Sequence, residues 1–183
     1  VFLKYFERLS YLLSQGDHVA DVAIINPHEP LVADPARGKA SLQLAHAVGT
    51  DLMNVCQTDF DFIDAESLAR AEVRDGRLAV AGEAYRALVL PSLFAIRHAS
   101  LEKALAFRQA GGLVVVLGDL PTATDRTGTG DPQTDAFVKT LIASGGTVFD
   151  ASDSPDAGAV AARTYAQHFT GRWVWTHKPS QKA

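Results

Sequence analysis

The chain is poor in cysteine, with Cys56 as the only one among 183 residues. A lone cysteine excludes an intrachain disulfide and any zinc site built on paired thiolates, and it leaves the compartment open. No H-E-x-x-H pair occurs either, and the six histidines (His18, His28, His46, His98, His168, His177) are widely dispersed. Each reads as a surface or hydrogen-bonded polar residue, and no metal is expected. Long apolar runs are also missing: Ala87 to Leu90 and Leu113 to Leu117 are far too short to span a bilayer. A basic excess is absent. Seventeen Lys and Arg face twenty-one Asp and Glu, for a net charge of −4. Lys4, Arg8, Arg70, Arg74, Arg77, Arg97, Lys103 and Arg108 form no stripe of the kind that marks nucleic-acid binding. Finally, the loop Asn26-Pro27-His28-Glu29-Pro30 has two prolines and no glycine, so the phosphate-cradling fingerprint of a dinucleotide site is absent. A Walker pattern is likewise missing, and no cofactor is expected.

What is present is an ordinary globular composition, 47% apolar and 21% charged, with mean hydropathy +0.03. The length fits one domain with an appendage and is enough to bury a core without staples. Phe2, Phe6, Leu9 and Leu13, with Tyr5 and Leu12, recur at helical spacing up to Gly16, which predicts an amphipathic helix. Its charges at Lys4, Glu7 and Arg8, and the lack of a small-residue cleavage site, set it apart from a signal peptide. Val19 to Ile25 reads as a buried strand, 26–38 as a loop, and Ser41 to Val55 as a helix. Residues 59–64 alternate as a short strand, and Asp64 can cap the helix after it. Asp75-Gly76 between alternating runs predicts a hairpin over 72–80. Tyr85 to Leu90 reads as a strand, Ser100 as the cap of a helix to Ala110, and Leu113 to Leu117 as a central strand. Gly118 to Asp131 is a polar loop, Thr134 to Ser144 a helix, and Val148-Phe149 a strand. A helix over 156–168 and an edge strand over 172–175 follow.

Strands alternating with helices imply an α/β fold with a doubly wound, mostly parallel sheet flanked by helices, flavodoxin-like in type. Three parts are expected: 1–16 as a helix leading in from a preceding domain, 17–176 as the α/β domain, and 177–183 as a flexible tail.

Ligands of such sheets bind beyond the carboxyl ends of the strands, which singles out Asn26, Ser92 and Asp119 as a candidate crevice. TGTGD (127–131) has glycines but no Gly-Lys-Ser/Thr, and reads as a plain mobile loop. Cys56 lies near a helix end, where the dipole disfavours a thiolate, so it reads as a small buried residue and not a nucleophile. Asp59 and Asp61 share a strand face. Paired carboxylates about 5 to 9.5 Å apart serve glycosidases, but at a strand entrance such a pair reads as a solvated edge. No residue is assigned a catalytic role.

Three stretches together resemble a known family: YFERLSYLLSQGDHVADVAIINP, DFDFIDAESLARAEVRDGRLAVAGEAYRALVLPSL and ASLEKALAFRQAGGLVVVLGDLP. The chain resembles glycoside hydrolase family 106, the α-L-rhamnosidase-like enzymes, over roughly Tyr5 to Phe149. The likeness is spread over many positions with no single diagnostic motif. It implies a bacterial enzyme whose catalytic (β/α)8 barrel precedes an α/β domain, and an extracytoplasmic location. The α/β domain also resembles class I glutamine amidotransferases and the middle domain of family 42 β-galactosidases, where it helps form a trimer. The amidotransferase cysteine sits on a tight turn after a central strand. Here that turn is Leu117-Gly118-Asp119-Leu120-Pro121, with no nucleophile.

The resemblance therefore implies a non-catalytic accessory domain. Its partners would be the catalytic barrel of the same protein and, in an oligomer, further copies, with neither nucleic acid nor membrane. The apolar first helix fits docking on a partner domain, or it covers this domain's own sheet. A stand-alone small-molecule binding module and a degenerate amidotransferase-like enzyme are the alternatives.

Overall fold

The computed structural model describes residues 2–16, 18–144 and 147–149. The helix expected over 156–168, the strand over 172–175 and the tail lie outside the described residues. Five parallel strands form the main sheet: β1 (Val22–Ile25), β2 (Phe60–Ile63), β6 (Ala87–Pro91), β8 (Leu113–Leu117) and β11 (Thr147–Phe149). Their order is β11-β8-β6-β1-β2. Counting only these strands, the order is 2-1-3-4-5, the flavodoxin-type winding, whose direction reverses between the first and third strands. That switch point lies between β1 and β6, where Val22 stands opposite Ala87.

Both faces of the sheet are buried, so its strands carry near-continuous apolar runs. Val22, Ile24, Val89, Leu113, Val115 and Leu117 face one side with Ala45, Val48 and Leu52. The last three belong to α3 (Pro35–Asp51) and the π-helical turn after it (Leu52–Cys56). Ala23, Ile25, Leu88, Leu90, Val114 and Val116 face the other side. There they meet α4 (Ala65–Arg70), α5 (His98–Gln109) and α6 (Pro132–Ala143) through Leu68, Leu101, Phe107 and Leu141. Helices on both faces make the fold the doubly wound α/β class expected from the sequence.

Four local expectations change. The stretch 26–38 is not a loop: α2 (His28–Ala33) and the first turn of α3 occupy it. Asp34 caps α3 by accepting from Ala36 N–H and Arg37 N–H, with Pro35 at the first helical position, where its missing N–H costs nothing. Next, Tyr85 to Leu90 is not one strand. β5 (Glu83–Tyr85) joins β3 (Glu72–Arg74) and β4 (Arg77–Val80) in a small antiparallel sheet. The chain crosses into β6 at Arg86, whose N–H and that of Ala87 both donate to Asp21 O. The hairpin itself forms as expected, with Asp75 and Gly76 both at positive φ.

The other two changes concern caps and the polar loop. Ser100 does not cap α5, but lies inside the helix, buried. The helix begins after Arg97, and Asp125 accepts from His98 N–H at 2.8 Å. The 118–131 loop is partly ordered into β9 (Ala123–Thr124) and β10 (Gly128–Thr129), which pair with each other and, through β9, with β7 (Ala95–Ile96). TGTGD is thus the outer strand of this small sheet, and its Asp131 caps α6.

Helix α1 (Phe2–Leu13) forms as the spacing predicts, yet it covers neither face of the described sheet. None of its residues is buried. Leu3 is 82% exposed, Leu13 75% and Phe2 73%. The reading in which this helix covers the domain's own sheet is therefore overturned. Among the described residues its rings pair with one another, Phe2 with Phe6 at 4.6 Å and Tyr5 with Phe6 at 5.5 Å.

Candidate functional site

The carboxyl ends of β6 and β8 bring two of the three expected crevice residues together. Ser92 follows β6 with φ +49, an unusual value for a side-chain-bearing residue, and such strain is worth reading where it occurs at a strand end. Gly118 follows β8 with φ +65, and a Cβ there would lie 2.9 Å from Ser92 Cβ, so only glycine fits the turn. Asp119 N–H donates to Ser92 Oγ at 3.2 Å, and Ser92 N–H to Leu117 O at 2.6 Å. Asn26 is exposed, and its backbone N–H extends the β1–β2 ladder to Ile63 O. Its described hydrogen bonds do not include Ser92 or Asp119.

Three residues not singled out from the sequence close this region. Arg37, in the first turn of α3, pairs with Asp119 at 2.9 Å and lies 3.9 Å over the Phe94 ring. Ser41 Oγ donates to Ser92 O at 2.7 Å. A serine nucleophile needs a base within hydrogen-bond reach, whereas the Ser92 hydroxyl accepts a backbone N–H. The carboxyl ends of β6 and β8 and the start of α3 form one stapled junction.

An open pocket lies at the same end of the sheet. Its volume is about 470 Å³, with His28 and Glu29 of α2, Arg97 before α5, and Asp125 after β9 on its rim. Ala95, Ile96 and Ala123 give it an apolar floor. Arg97 Nε donates to Glu29 Oε1 at 2.9 Å, and this pairing, the largest influence, raises the guanidinium pKa further. No local sequence pattern marks the pocket, because three separate segments make it.

The opposite end carries a different arrangement. His18, ahead of β1, places Nδ1 3.0 Å from Glu83 Oε1 and Nε2 3.2 Å from Asp59 Oδ2. Asp61 Oδ2 lies 3.9 Å from Nδ1 and accepts from Tyr85 Oη–H at 3.0 Å. The hydrogen bond to Glu83, then that to Asp59, raises the His18 pKa, with desolvation opposing. Burial, then the bond to Asp61, raises that of Tyr85. His18, Asp61 and Glu83 offer donor atoms within 4.8 Å of one another, a spacing that would admit a cation. These atoms already engage one another in a knot of hydrogen bonds around the imidazole, with Asp61 beside it. Asp59 and Asp61 belong to this knot. Cys56 is buried, and desolvation followed by Asp51 raises its pKa, which keeps it a thiol as expected.

A family model described as alpha-L-rhamnosidase, glycoside hydrolase family 106, matches residues 1–162. The chain belongs to that family. No curated protein and no solved structure matches it.

Proposed function

We propose that this α/β domain is a non-catalytic, architectural part of an α-L-rhamnosidase, and that α1 docks it on the catalytic barrel of the same protein. One observation carries the reading: α1 presents Phe2, Leu3, Tyr5, Leu12 and Leu13 to solvent, and none of its residues is buried. Exposed apolar residues in a contiguous stripe mark interaction surfaces, and an isolated helix of twelve residues is marginal in water without tertiary support. The stapled ends of β6 and β8 support the same reading, since Ser92 and Asp119 are engaged in holding them together. The expected crevice then contributes to architecture, and the rhamnosidase chemistry belongs to another part of the protein.

The test compares the native gene product with this 183-residue chain by intact mass and by hydrolysis of an aryl α-L-rhamnoside. A longer product that turns over, beside a silent short chain, is the expected result. Substituting Phe2, Leu3 and Leu13 together by serine in the longer product should then lower its melting temperature. Hydrolysis by the short chain itself would overturn the proposal.

A further inference from the structure

The pocket between α2, β7 and β9 has a lining that limits what it can bind. Each wall comes from the segment after a different strand of the main sheet: α2 after β1, Ala95 to Arg97 after β6, and Ala123 to Asp125 after β8. Ligands of doubly wound sheets occupy this end. About 470 Å³ falls within the range of small-molecule sites.

The polar atoms set the chemistry. Glu29 Oε1 accepts from Arg97 Nε, and Asp125 Oδ1 accepts from His98 N–H. Each carboxylate has a second oxygen beyond the one in these bonds, and Arg97 Nη1 lies 4.0 Å from Glu66 Oε1. Carboxylates only accept hydrogen bonds and a guanidinium only donates them, so a ligand touching both must donate and accept. Two carboxylates beside one guanidinium already paired give no surplus positive charge for an anion. Thr124, 6% exposed, also lines the pocket, while its hydroxyl is shielded from solvent and has no hydrogen-bond partner among the described residues. Below the rim, Ala95, Ile96 and Ala123 form the floor, while Val32, 71% exposed, forms one wall. The complementary ligand is neutral, carries several hydroxyls on its edge, and has an apolar C–H face.

We propose that this pocket is a saccharide subsite that takes one neutral pyranose unit. Its C–H face would lie on Ala95, Ile96 and Ala123, and its hydroxyls would bridge Glu29, Arg97 and Asp125. The inference goes beyond the docking role of α1 and holds whether or not α1 docks. Hydroxyls are chosen over another neutral donor–acceptor group, an amide, because the chain belongs to a glycosidase family.

The test is a two-dimensional amide NMR titration of the full 183-residue chain with methyl α-L-rhamnopyranoside, and in parallel with N-methylacetamide and sodium acetate. The expected result is saturable shifts at His28, Arg97, Thr124 and Asp125 with the glycoside alone, at a millimolar Kd. Val32→Asp puts a charge on the apolar wall, and Arg97→Ala removes the guanidinium. Each should weaken binding by about ten-fold or more, while Val19→Asp, at an exposed site outside this pocket, should leave it unchanged. The proposal is overturned if the glycoside gives no saturable shift at these amides, if acetamide or acetate shifts them equally, or if both pocket variants bind like the parent chain. Hydrolysis is not read, so a failure here leaves the accessory-domain reading intact.

Discussion

Helices α1 and α5 are both twelve residues long, and they use their apolar side chains in opposite ways. α1 carries eight large apolar or aromatic side chains, the sharper amphipathic pattern of the two, and buries none of its residues. α5 has only three large aliphatic or phenyl side chains, Leu101, Leu105 and Phe107, and it buries all of them, with Ser100 and Ala104, between the sheet and α6. Periodicity therefore reports that a helix has a face but says nothing of whose surface that face meets. For α5 the partner lies in this domain, whereas for α1 no described residue supplies one.

The largest expected effect tests that contrast directly. Phe107→Ala empties a fully buried site and should destabilise the domain by about 3–5 kcal/mol. Phe6→Ser in α1 should change stability by no more than about 0.5 kcal/mol, as surface substitutions do. Urea unfolding of the 183-residue chain decides it. Equal losses in the two variants would mean that α1 is supported within the domain after all, and would remove the ground for its docking role.

A smaller effect separates local from tertiary control of helix order. α3 starts at Pro35 because the Asp34 side chain accepts from two of its first N–H groups. Asp34→Ala should cost about 1 kcal/mol, visible as a lower urea midpoint with an unchanged slope. A loss several times larger would show that the cap also holds Arg37 over Phe94 and Asp119, and so the junction of the strand ends.

The same residues explain what was legible in the sequence. The buried strands were readable because both faces of the sheet are covered, which forces unbroken runs such as Leu113 to Leu117. The start of α3 was hidden because Asn26-Pro27 and Pro30 read as opening a loop through Gly38, although Pro35 sits where proline suits a helix and Asp34 caps it. The break at Arg86 was missed because a single residue separates β5 from β6, and only their different pairing partners reveal it. Ser92 and Asp119 were found from the rule about strand ends, but that rule does not reveal that Arg37 and Ser41 staple them shut. The pocket and the His18 knot are assembled from residues far apart in sequence (His18 with Glu83, Glu29 with Arg97), and no local pattern announces such pairs.

The smallest effect concerns the point where α1 leaves the fold. His18 is half exposed and anchors that point through Glu83 and Asp59, with Asp61 beside it and Tyr85 behind Asp61. Arg77 lines the same hollow. The bonds to Glu83 and Asp59 raise the folded-state pKa of His18 above its ordinary value of 6.5. A raised histidine pKa means that the folded state binds the proton more tightly than the unfolded chain does. The stability it contributes is therefore fully present below about pH 6.5, and it is lost as pH rises through the folded-state pKa. His18→Gln should lower the urea midpoint below about pH 6.5 and should leave it nearly unchanged once the pH has risen past the folded-state pKa. Salt should shrink the difference, because these charges are solvated. A difference that stays constant across the pH range would show that the imidazole acts as a neutral hydrogen-bonding group, and that the root of α1 is held by geometry alone.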